Sequence, residues 1–131
     1  MGHEVFRTAV ESGDHAGMVS ALAPGVVFHS PITFKPFEGR DAVSTLFGVL
    51  LSTFEDFRYT DELDSGDVKA LVFEARVGDR LVQGLDLLRF DDDGQVAELT
   101  VMVRPMSGIN ALAEAMAAEL RRMGVPVPGG A

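Results

Sequence analysis

Apolar positions along the chain change period once, near residue 56, and the change separates a helical half from a strand half. In the first half, Val5, Phe6, Ala9 and Val10 form a helical stripe that Gly13-Asp14 interrupts. Ala16, Met18, Val19 and Leu22 form a second stripe, and Asp14 is placed to cap that helix with its carboxylate. Pro24-Gly25 is expected to end it. Val26 to Ser30 reads as a short strand stopped by Pro31, with a loop, Thr33-Phe34-Lys35-Pro36-Phe37, beyond it. Val43, Leu46, Phe47, Leu50, Leu51 and Phe54 then recur at helical spacing. Asp41 falls in or near the first turn of that helix, where a carboxylate favours the dipole.

In the second half the period is two. Phe57 to Leu63, Val68 to Val77, Leu81 to Phe90 and Val96 to Val103 read as strands. Ser65-Gly66-Asp67, Gly78-Asp79 and Asp91-Asp92-Asp93-Gly94 supply the turns between them. Pro105 ends the last strand, and Ser107 is expected to cap a terminal helix striped by Ile109, Leu112, Ala113, Met116, Leu120 and Met123. Arg121 and Arg122 in its last turn and Gly124 just after it form a stop signal. Strands joined by short turns pair antiparallel, so helices followed by a meander define an α+β fold. Ala70–Phe73, Leu81–Leu88 and Leu99–Val103 are apolar on both faces. One layer of helices hides one face of a sheet, so the outer face is expected to pair with a second copy, giving a homodimer.

Length and composition narrow the partners. A chain of 131 residues forms one domain, 1–131, with a core over 4–123 and a tail over 124–131. Lys and Arg number 11 against 20 Asp and Glu, a formal charge of -9, so no nucleic-acid partner and no anionic membrane surface is expected. There is no cysteine, which excludes disulfides and thiolate metal sites. The apolar run Phe47–Leu51 is far short of a membrane span, and Met1-Gly2-His3-Glu4 has no leader-like pattern, so a cytoplasmic location is expected. His3 and His15 read as helix-surface residues without metal spacing, and Asp91–Asp93 lacks the distal Glu of a calcium loop. No metal and no cofactor is expected.

One acid stands out against this background. In Leu81–Phe90, alternation puts Asp86 on the face of Val82, Gly84, Leu88 and Phe90. A carboxylate there must be paired, hydrogen-bonded or kept neutral, and such perturbed acids concentrate in functional pockets.

Gly13-Asp14 between two helices, His29-Ser30-Pro31 closing a strand, and Gly84 to Gly94 across a hairpin together resemble the nuclear transport factor 2-like superfamily. More narrowly, the chain is similar to the bacterial SnoaL-like group, from about Glu4 to Leu120. The resemblance implies a cone, a curved mixed sheet wrapped around the N-terminal helices and open at one end to a pocket, with a C-terminal helix added. It also implies a homodimer through the outer sheet face. Ketosteroid isomerases, polyketide cyclases, dehydratases, epoxide hydrolases and binding-only domains share the fold, so fold does not settle function. By local pattern Asp86 falls where the ketosteroid isomerases keep a protonated aspartate as oxyanion donor. Their second donor, a tyrosine, corresponds to Phe6, and their general base corresponds to Ser30, which cannot take a proton at neutral pH. Two of three catalytic positions are absent, which speaks against that activity.

The remaining candidates are weighed around Asp86. His29 shares a face with Val27, opposite Phe28 and Ser30; it is a base or relay if Pro31 turns it inward, and a structural histidine otherwise. Tyr59, the only tyrosine, offers a pocket hydroxyl or an amphipathic wall. Arg104 either clamps an anionic ligand or ends its strand in an ion pair. Phe6, Phe28, Phe34, Phe47, Phe73, Leu88 and Met102 are candidates to line an apolar cavity. The expected function is binding of a small apolar or carbonyl-bearing molecule, either alone or with cofactor-independent proton transfer by Asp86, for which Ser30, His29 and Tyr59 are the candidate helpers. The alternative is a non-catalytic dimeric binding or interaction module.

Overall fold

Gly13 separates helices α1 (Gly2–Ser12) and α2 (His15–Ser20) by adopting φ 69°, and the Asp14 side chain accepts the Gly17 N–H at 3.0 Å. These and all other positions come from a computed structural model that describes residues 2–124, with side chains from Glu4 onward. The expected tail beyond Gly124 and the His3 side chain lie outside the described residues.

Strand β1 (Leu22–His29) begins four residues before the expected start, because Pro24-Gly25 does not end a helix. The pair sits where the register against the neighbouring strand shifts between Leu22 and Val27, a place where a residue without N–H is tolerated. A two-residue strand, β2 (Phe37–Glu38), precedes α3 (Arg40–Thr53), with Asp41 in the first turn as expected. The meander follows as β3 (Glu55–Asp64), β4 (Val68–Val77), β5 (Arg80–Phe90) and β6 (Val96–Arg104). The final helix, α4 (Met106–Arg122), starts directly after Pro105, whose carbonyl accepts the Ile109 N–H at 3.0 Å. Ser107 therefore lies inside the first turn and is not the cap. Gly124 ends the helix at φ 75°.

The six strands form one curved sheet in the order β2-β1-β6-β5-β4-β3. It is mixed: β1 runs parallel to β6 and every other pair is antiparallel. Alternation sorts the faces as expected. Leu71, Phe73, Ala75 and Val77 of β4 and Val82, Asp86, Leu88 and Phe90 of β5 are buried inward against Phe6, Val43, Phe47, Leu112 and Leu120 of the helices. Among the described residues no helix is long and apolar enough to cross a membrane.

Candidate functional site

The helices do not fill the inner face. A cavity of about 360 Å³ remains between the end of α1, the C-terminal half of α3 and the centre of the sheet. That size falls within the range of small-molecule sites. Its walls are Phe6, Phe28, Phe47, Phe54, Phe57 and Phe73 with Met18, Leu50, Leu51, Leu99 and Val101. The helical stripe of α3 thus serves two purposes: Val43 and Leu46 are core, Phe47 is both core and cavity wall, and Leu50, Leu51 and Phe54, the residue capping the helix, are partly buried and line the cavity. The phenyl rings brace one another, with Phe57 stacked on Phe73 at 4.7 Å and Phe28 edge-on to Phe47 at 6.0 Å. Polar groups enter at two places, Asp86 on β5 and Glu11-Ser12-Gly13 at the end of α1.

Asp86 lies between Leu71 of β4 and Val101 of β6 and is 7% exposed. Its Oδ2 accepts the Tyr59 hydroxyl at 2.7 Å; its Oδ1 makes no hydrogen bond among the described residues. Burial disfavours the charged carboxylate and pushes the pKa up from the ordinary 3.8 to about 7, while the Tyr59 hydrogen bond pulls in the opposite direction. Near neutral pH the carboxyl is thus divided between its two forms. Burial, and then the Asp86 charge, push the Tyr59 hydroxyl well above its usual value, so it stays a donor. Tyr59 is held by the edge of Phe57 at 5.0 Å and by the Arg7 guanidinium, 5.4 Å from its ring centre. Arg7 in turn pairs with Glu62 at 2.6 Å and Glu11 at 3.3 Å, fastening α1 to β3.

The structure brings together Asp86, Phe6, Phe28, Phe47 and Phe73 at the cavity, with Tyr59 behind Asp86. It separates the other candidates from them. His29 is on the outer face, as its position opposite Phe28 requires, and Nε2 pairs with Glu98 at 2.7 Å. Pro31 does not turn it inward. Ser30 faces a small groove beside α4, where its hydroxyl accepts the Ile32 N–H at 2.9 Å in a local turn. Phe34 is at a loop tip, 93% exposed, and Met102 is on the outer face, half exposed, because its β6 neighbours Val101 and Val103 take the inner positions. Arg104 is also outward, hydrogen-bonded to Gln83 at 3.1 Å. Leu88 shares the inner face with Asp86 but is core rather than cavity wall. Glu11 and Arg7 had no distinguishing signal, since acids and bases one turn apart on a helix end are ordinarily solvated. Among the described residues no three His, Cys, Asp or Glu side chains are grouped to hold a metal.

A curved mixed sheet folded over helices around an apolar pocket defines a nuclear transport factor 2-like domain. A family model of the SnoaL-like domain matches residues 3–99, and the chain belongs to that family. Among solved structures it is similar to a steroid delta-isomerase from Pseudomonas aeruginosa, with 42% identity and a TM-score of 0.87 over 90% of this chain and 88% of that one. An uncharacterized protein with a cystatin-like fold from Silicibacter pomeroyi shares 30% identity at a TM-score of 0.87, over 92% of this chain and 85% of that one. A nuclear transport factor 2-like protein of unknown function from Mesorhizobium loti shares the fold alone, at 19% identity and a TM-score of 0.70 over 79% and 91% of the two chains. No curated protein matches the sequence.

Proposed function

We propose that the domain binds a small, largely apolar, carbonyl-bearing molecule with Asp86 as its polar anchor, and that its chemistry is cofactor-free proton transfer of the isomerase, cyclase or dehydratase type. The observation that carries this reading is a buried carboxyl at an apolar cavity, poised near neutrality, with one oxygen fixed by Tyr59 and the other without a partner. Protonated at Oδ1, Asp86 donates to a carbonyl oxygen while Oδ2 still accepts from Tyr59. That bond strengthens as negative charge grows on the carbonyl oxygen. The similarity to a steroid delta-isomerase supports a ligand with an apolar body. Phe6 and Ser30 stand where the ketosteroid isomerase pattern has a tyrosine and an acid, so the proposal does not extend to the reaction of that pattern.

The second reading is a binding domain without turnover, which the outward placement of Ser30 and His29 favours. In both readings we propose a homodimer through the outer sheet face, supported by the apolar centre that Val72, Leu85 and Met102 form there. The cavity assignment is tested by a thermal-shift titration with 2-naphthol, a planar apolar molecule carrying one oxygen. Saturation at about 100 times the dissociation constant adds about 2.7 kcal/mol of stability. Wild type is expected to shift and Asp86→Asn to shift less. Equal shifts in both would remove Asp86 as the anchor.

A further inference from the structure

Proton transfer between carbon atoms needs a base as well as an oxygen-stabilising acid, each within reach of the same ligand. The residue at position 30 does not supply it, since the Ser30 hydroxyl is engaged by backbone N–H groups in another groove, and His29 faces the far side of the sheet. Among the side chains lining the cavity, two are titratable: Asp86 and Glu11. Glu11 sits in the last turn of α1, beside Ser12 and Gly13, and forms part of the wall with them. Glu11 and Asp86 line the same cavity, so one ligand filling it borders both acids. Arg7, one turn earlier, pairs with Glu11 at 3.3 Å and with Glu62 of β3 at 2.6 Å. The carboxylate thus sits on a helix end that is fastened to the sheet.

We propose that Glu11 is the catalytic base of this cavity. The proposal rests on the reading that a carbonyl ligand is held at Asp86. The Glu11 carboxylate takes a proton from the carbon next to the carbonyl. The C–H electron pair becomes the carbon–carbon π bond, and the carbonyl π pair moves to oxygen, where Asp86 supplies a hydrogen bond or its proton. Glu11, now protonated, returns the proton to the same carbon or to one conjugated with it, and Asp86 recovers its own. The step consumes no oxidant, reductant or second substrate. It gives this chain a base from α1, on an element different from the one where the isomerase pattern places its acid.

Two measurements on the intact protein test it together. Binding is read with 2-naphthol, whose ring hydroxyl mimics an enol. Turnover is read as exchange of the α-hydrogens of 2-tetralone for deuterium, followed by NMR in D2O. Wild type is expected to bind the naphthol and to accelerate exchange. Glu11→Gln, a change at a half-exposed helix position, should keep naphthol binding within about twofold and lose about 100-fold or more in exchange rate, the span of general-base catalysis. Glu114→Gln, on the exposed side of α4, should match wild type. An unchanged exchange rate in Glu11→Gln overturns the role of Glu11. Naphthol binding without accelerated exchange in wild type also overturns it, and leaves the binding reading standing. Failure of 2-naphthol to bind wild type removes the carbonyl reading, and the base with it.

Discussion

Asp86 makes the stability of this domain depend on pH in an unusual direction. Its folded pKa, about 7, lies above the ordinary 3.8, so below pH 4 both folded and unfolded chains hold the proton and the site adds no penalty. Between pH 4 and about 7 the unfolded chain releases its proton while the folded chain retains it. Stability from this group therefore falls as pH rises and is lost once the folded carboxyl ionises. At 1.36 kcal/mol per unit, the raised pKa corresponds to about 4 kcal/mol. Asp86→Asn keeps the shape and the acceptor for Tyr59 without a titrating proton. Urea unfolding at pH 5 and pH 8 should show the variant gaining a few kcal/mol over wild type across that interval. Parallel changes in both proteins would mean that Asp86 is not desolvated. Tyr59→Phe acts on the same group in the opposite sense. It deletes the hydrogen bond that lowers the Asp86 pKa, so a carboxyl carbon NMR titration should place that group higher than in wild type. At pH 8 the loss of a donor to a charged acceptor should cost about 1–3 kcal/mol.

Among the elements, β5 is the one whose sequence is most constrained by the cavity, and Gly84 shows why. A Cβ at Gly84 would overlap the end of the Phe73 ring and lie 2.8 Å from the Met102 carbonyl oxygen. Phe73 has little freedom to withdraw, because Phe57 stacks on it at 4.7 Å and Phe54 meets it edge-on at 5.6 Å. Gly84→Ala should cost about 1–3 kcal/mol through overpacking, read by chemical denaturation, and should weaken 2-naphthol binding by disturbing the wall ring. How far the elements were legible follows from the range of their signals. Alternation is local, so it placed Asp86, Phe28 and Phe73 inward and His29 opposite Phe28 without knowledge of neighbouring strands. The expectation that His29 helps Asp86 required a turn at Pro31 that the fold does not make. The parallel pairing of β1 with β6, the two-residue β2 and the bulge that admits Pro24-Gly25 depend on distant partners and leave no periodic trace. The cavity is legible only in part. Asp86 and Leu88 share one face, yet where the helices stop covering that face is a matter of packing, and Glu11 faces it from a helix end that reads as solvated.

For the whole molecule, the inner face of the sheet is accounted for by helices and cavity, but the outer face is not. Leu85 of β5 lies opposite Met102 of β6, with Val72 of β4 alongside Leu85 on its other flank. Charged pairs border this apolar centre: Arg58 with Glu74 on one side, and Glu98 with both Arg89 and His29 on the other. An apolar middle with a polar rim is the general form of a protein interface, and a two-fold axis through it would set Met102 against the same patch of the second copy. Light scattering after gel filtration should therefore give twice the monomer mass. Met102→Glu places a charge at the centre of that patch without touching the cavity, since the side chain is outward and half exposed. The variant should be monomeric and folded, with 2-naphthol binding preserved, because Asp86 and the phenyl walls belong to one chain. A monomeric wild type would leave this face open to solvent and remove the dimer from the proposal. A dimeric Met102→Glu would move the interface elsewhere on the surface. Loss of ligand binding together with the dimer would mean that the sheet keeps its curvature, and the cavity its shape, only when its outer face is covered.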